Sequence, residues 1–140
     1  MSAGGVMPSG SSRLPRLDPF TLPVQFHARD VAADEQVRIV ELHRKRVVMR
    51  RSIAGMRMAM SLPVSNYLGV ALQIVAPDDT SDGAVAVVLA HADAALAVPL
   101  FTAATGVDAL TQWRAWGHVL GRPLLVADAD GSLREPMRSP

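Results

Sequence analysis

No cysteine occurs anywhere in the 140 residues. That excludes a disulfide framework, a thiol nucleophile and a thiolate metal site, and it suits a reducing cytoplasm. Long apolar runs are missing as well. No window approaches the roughly 18 uninterrupted apolar residues of a membrane-spanning helix. The opening stretch, MSAGGVMPSGSSRLP, lacks the apolar run of a secretory signal. Aromatic residues make up only 4% of the chain, so each is expected to anchor packing. Between Arg57 and Arg114 there is no Lys or Arg, while Asp78, Asp79, Asp82, Asp93 and Asp108 all lie there.

Catalytic motifs are also absent. There is no Gly-x-Ser-x-Gly elbow, no paired-histidine zinc motif and no phosphate-binding glycine loop. His27, His43, His91 and His118 are isolated from one another in sequence. The acidic runs at 78–82 and 128–131 lack the ligand spacing of a calcium loop and read as turns. The expectation is a non-enzymatic protein with no cofactor and no metal.

What is present is apolar and alternating. Apolar residues reach 49%, enough for a core and too much for a disordered chain. Net charge is +1, which gives no global pull toward nucleic acid. Residues 1–16, rich in Gly, Ser and Pro, read as a disordered leader. Residues 17–135 read as one β domain, and 136–140 as a disordered tail. Strands are expected at Leu22–Arg29, Val37–His43, Arg46–Ile53, Met56–Leu62, Val70–Val75, Ala84–His91 and Ala95–Thr102, from period-two patterning broken by turn residues. Met56, Met58 and Met60 share one face of their strand. They are expected to fill a core beneath it; the competing idea is a soft binding surface.

One helix is expected, Val107–Leu120. Thr105 is placed to cap it, Asp108 favours its first turn, and Gly121 followed by Pro123 ends it. Leu110, Trp113, Gly117 and Leu120 form its apolar stripe. Gly117 is positioned to let the helix backbone approach a sheet. Pro123–Ala127 reads as a further short extended segment.

Seven strands followed by an amphipathic helix predict a mainly β fold: a seven-stranded antiparallel barrel or roll, capped by that helix. The element order over Leu22–Leu120 resembles pleckstrin-homology-like domains. The words LDPFTLPVQF (17–26), VELHRKRVVMRR (40–51), LPVSNYLGVAL (62–72) and LGRPLLVADADG (120–131) resemble an uncharacterised bacterial domain-of-unknown-function family. That resemblance implies a single bacterial domain and no assigned activity.

The chemistry concentrates in Val37–Arg57, which holds seven of the fourteen Lys and Arg residues. Arg44, Lys45 and Arg46 crowd a turn, with Arg50 and Arg51 following. Arg46 and Arg50 share a strand face, where two guanidinium groups can grip a phosphate or carboxylate. These five residues are the candidate ligand-binding set. Arg46-Val47-Val48-Met49-Arg50 also fits the first half of the PilZ cyclic di-GMP signature, but the second half fails at Pro63 and Gly69. Two functions follow. One is a cytoplasmic binding module for a partner protein, using the basic hairpin or an exposed sheet edge. The other is a sensor of an anionic small molecule or lipid headgroup, using residues 44–51. Nucleic acid is disfavoured because no aromatic stacking partners flank the patch.

Overall fold

The computed structural model describes residues 16–77, 79 and 83–136. Residues 1–15 of the expected leader and 137–140 of the expected tail lie outside the described residues, as do four positions of the acidic turn at 78–82. The chain divides into two compact units. One takes residues 21–65; the other takes residues 16–20 and 66–136 of the described chain.

In the first unit, β1 (Val24–Arg29), β2 (Val37–Leu42), β3 (Arg46–Ile53) and β4 (Met56–Pro63) form one antiparallel sheet in the order β1-β2-β3-β4. Its turns follow from local chemistry. Ala54 and Gly55 join β3 to β4 with φ of 53° and 79°, the type I′ pattern whose twist matches paired strands. Asp34 reaches this turn from the β1–β2 connection and accepts the N–H groups of Ala54 and Gly55, both at 2.9 Å. The Arg44-Lys45 turn is closed by the His43 N–H donating to the Arg46 carbonyl at 2.9 Å.

Register separates this sheet into two faces. The row His27–Ile39–Arg50–Ala59 belongs to a polar face, together with Glu41, Ser52 and Arg57. The row Phe26–Val40–Met49–Met60 belongs to an apolar face. Val40, Leu42, Val47 and Met49 of that apolar face are buried. Burial stops at β4.

In the second unit, β5 (Gly69–Val75), β6 (Ala84–Ala90), β7 (Val98–Ala103), β8 (Leu124–Ala127) and β9 (Leu133–Arg134) form a sheet ordered β7-β6-β5-β8-β9, with α1 (Gly106–Leu120) between β7 and β8 in the chain. β8 runs parallel to β5, which the intervening helix allows. The row Leu124–Val70–Leu89–Val98 crosses four strands, and the helix lies over it. Trp116 is fully buried there, and Trp113 donates its indole N–H to the Val70 carbonyl at 2.8 Å. A Cβ on Gly117 would stand 2.5 Å from Leu124 Cδ2, so this glycine does permit the close approach that its place on the stripe suggests. Gly121 ends the helix in the left-handed region at φ 64°. Thr105 takes the N-cap position but makes no side-chain cap bond.

The expected seven-stranded barrel is corrected by this topology. Among the described residues nine strands form two sheets, and no closed barrel of the pleckstrin-homology type exists. The physical reason is β8. It occupies the side of β5 that β6 leaves open, so β5 has no edge through which the first sheet could continue. The mainly β class and the single C-terminal helix stand.

Gly69 is the tightest point of that junction. A Cβ there would meet the Pro123 carbonyl oxygen at 2.5 Å and Leu125 Cδ1 at 2.8 Å. Gly69→Ala is expected to cost about 1–3 kcal/mol, because backbone must move. Gly117→Ala should cost less, since Leu124 can turn aside. Urea unfolding of both variants checks the order.

Candidate functional site

The five basic residues singled out by sequence do not converge. Arg44 and Lys45 sit in the β2–β3 turn and Arg46 opens β3, all three exposed. Arg46 and Arg50 share the polar face, but four residues of strand separate them by roughly 13 Å. Arg50 is already engaged: its guanidinium forms an ion pair with Glu41, whose other oxygen meets His43 Nε2 at 3.3 Å. Hydrogen bonds from Arg50 and then His43 hold the Glu41 carboxyl below its ordinary pKa. Arg51 belongs to the opposite face, and its Nη1 donates to both carboxylate oxygens of Asp30, at 2.9 and 3.1 Å.

Asp30 is the buried carboxylate of the first unit, with 7% of its surface exposed. Burial alone would raise its pKa. The Arg51 hydrogen bonds, the Ala32 N–H and the charges of Arg51 and Arg38 outweigh that, and the pKa falls below 3.8. Both arginines of the proposed grip that lie inside the strand are therefore partnered by carboxylates of the same unit.

A shallow pocket of about 650 Å³ opens beside the polar face, lined by His27, Ile39, Arg50, Ser52, Arg57 and Ala59 of that face together with Asp34, Glu35, Arg38, Arg51 and Met58. Arg57 joins the basic set here, while Arg46 is not in the lining. Arg57 pairs with Ser52, next in line to the Arg50–Ala59 pair, so Arg50 and Arg57 are diagonal neighbours roughly 7–8 Å apart at the backbone.

The expectation that Met56, Met58 and Met60 fill a core is overturned. They are 67%, 45% and 47% exposed. Every residue of β4 except Leu62 is exposed. The cause is position: β4 is the last strand of its sheet, and among the described residues none covers its methionines.

Backbone direction along β4 follows from the type I′ turn. That turn makes Ile53 and Met56 a hydrogen-bonded pair, so by alternation Met58, Met60 and Leu62 also turn their N–H and C=O toward β3. Arg57, Ala59 and Ser61 aim theirs at the open side. Pro63 is next in that outward series, the place on an edge strand where a residue without N–H is tolerated. The two ends of the second sheet are guarded. Arg16 bridges to Phe101 and the Leu17 N–H donates to the Leu100 carbonyl at 2.9 Å, covering β7. β9 is two residues long. β1 ends the other side of the first sheet; its residues alternate half-buried and exposed, whereas six consecutive residues of β4 are exposed.

A family model matches residues 3–138 of the chain. The chain belongs to DUF6101, a family of unknown function. No curated protein and no solved structure matches it. The DUF6101 match spans both units and assigns no activity to either, so the geometry alone carries the functional reading.

Other polar residues of the DUF6101 chain have local roles. His91 Nδ1 accepts the Asp93 N–H at 2.9 Å, and its ring stands edge-on to Tyr67 with centroids 4.9 Å apart. Among the described residues, no group of three or more His, Asp or Glu could hold a metal ion. No helix among them is long and apolar enough to cross a membrane.

Proposed function

We propose that this DUF6101 protein is a cytoplasmic, non-enzymatic module that binds a partner protein by taking an extended segment along the open edge of β4. One observation carries this reading. An eight-residue edge strand lies exposed, with three methionines in a row on one face and outward backbone groups at Arg57, Ala59 and Ser61. Edges of this length are normally shortened, charged or covered, because unpaired N–H and C=O groups template further pairing. Main-chain bonds to an added strand supply affinity, and alternate side-chain positions supply selectivity. Methionine suits such a surface, being flexible and polarisable.

Ala59→Pro tests the edge directly. It removes an outward donor and leaves the β3–β4 ladder intact. A photoreactive residue at position 58 should cross-link a discrete partner protein in cells, and Ala59→Pro should abolish the product. No product, or one undiminished by Ala59→Pro, would sink the reading.

A second reading has one observation in its favour. The polar-face pocket places Arg57 beside Arg50, a pair suited to a small anion. Such a ligand must compete with Glu41 for Arg50, which is why this reading ranks second.

A further inference from the structure

We infer that the segment taken by β4 is acidic: an extended stretch of a partner protein in which carboxylate side chains alternate with apolar ones. This rests on the edge-binding reading above and names the chemistry of the occupant. The apolar half follows from the methionines. A strand added to β4 sends every second side chain to the face of Met56, Met58 and Met60, and the others to the face of Arg57, Ala59 and Ser61. Only apolar side chains would cover the first set without leaving polar groups unsatisfied.

The acidic half follows from unpaired charge. Arg57 stands near one end of the edge. Arg46, which pairs with Pro63, stands at the other, with Arg44 and Lys45 in the adjoining turn. Among the described residues, none of these four has an ion-pair partner. No Asp or Glu occurs between Arg46 and Pro63. Of the carboxylates of the unit, Asp30 is paired with Arg51 and Glu41 with Arg50; Asp34, bound to the Ala54 and Gly55 amides, and Glu35 line the same pocket as Arg57 without forming an ion pair with it, and neither is on the strand pair near Arg44–Arg46. The edge thus has an apolar stripe on one side; on the other, Arg57 stands near one end without an ion-pair partner and Arg44, Lys45 and Arg46 crowd the other. An incoming strand with carboxylates on that side supplies the missing charge.

The same charges argue against a second copy of this chain. Antiparallel β4–β4 pairing would lay Arg57 of each copy beside the Arg44–Arg46 end of the other. Arg46 lies one strand in from the edge, opposite Pro63, so these like charges would gather at each end of the joined sheet and repel across two strand spacings.

Three synthetic peptides and the full chain test the inference: one alternating Glu and Val, one alternating Lys and Val, and one with the same Glu and Val in separate blocks. Amide hydrogen exchange at Arg57, Ala59 and Ser61 is the readout, alongside fluorescence anisotropy. The alternating Glu peptide should bind and slow exchange at those three amides at least tenfold. Arg57→Gln should weaken it about threefold, as should raised salt. Ala59→Pro, checked for unchanged unfolding, should not bind. Equal protection by the Lys or block peptide would overturn the acidic alternation while leaving the edge reading intact. Protection by none of the three would remove both. If the three amides are already slow in a dimeric free protein, a second copy holds the edge and the inference fails.

Discussion

Trp113→Ala and Trp116→Ala should each destabilise the second unit by about 3–5 kcal/mol, the cost of emptying a buried tryptophan site. Both rings lie between α1 and its sheet, Trp116 with no exposed surface and Trp113 with 6%. Their conservative replacements should separate them. The Trp113 indole N–H is bonded to the Val70 carbonyl in the central strand. Trp113→Phe therefore removes a buried hydrogen bond to that carbonyl in addition to opening a cavity. The Trp116 indole N–H is buried and has no partner among the described residues, so Trp116→Phe removes volume without removing a hydrogen bond to any of them. Trp113→Phe should cost more by roughly 1 kcal/mol. Urea unfolding followed by the fluorescence of the remaining tryptophan reads both, since both indoles are on the helix. A loss below about 1 kcal/mol for either alanine variant would mean that the helix is peripheral to the unit.

The helix was legible because its signals were redundant. Apolar spacing, Gly121 and Pro123 all point to the same boundaries, and the observed element is Gly106–Leu120. The strands were legible for a similar reason. Period-two alternation and turn residues place β3 at Arg46–Ile53, as expected. What alternation cannot carry is pairing. The parallel partnership of β5 with β8 depends on contacts more than fifty residues apart, such as Val70 with Leu124. Nothing local in either strand records it, and it is this partnership that replaces a barrel with two sheets.

The candidate site was half legible for the same physical reason. Alternation correctly put Met56, Met58 and Met60 on one face, but which residues share a face says nothing about whether that face is covered. Burial depends on the strand's rank in the sheet. Charge was misleading in a related way. Arg50 and Arg51 look like a reserve of free cations, yet each meets a carboxylate brought from another segment, Glu41 in one case and Asp30 in the other. Arg57 was outside the five-residue candidate set and is the one cation carried by β4 itself. Pro63 was the one local hint that β4 ends a sheet, since a proline in a strand favours an edge.

The Asp30 contacts set the second large effect. Asp30→Asn should destabilise the first unit by about 2–3 kcal/mol at neutral pH. Removing one partner of a fully buried pair costs about 3–5 kcal/mol, and the 35% exposure of the Arg51 side chain lowers that figure. Asparagine keeps the volume but leaves Arg51, and the nearby Arg38, without the negative charge. The pH dependence has a definite sign. The folded pKa of Asp30 is depressed below 3.8, so just under that pH the unfolded chain binds more protons than the folded one. The contribution is complete above about pH 4 and disappears as pH falls through the folded value. Glu41, depressed by Arg50 and His43, acts in the same direction and will steepen the wild-type acid limb. The gap between wild type and Asp30→Asn isolates Asp30: wide and constant from pH 5 to 7, then closing below pH 4. A gap that stays constant down to pH 2 would mean that the carboxylate's charge contributes nothing and that only its hydrogen bonds matter.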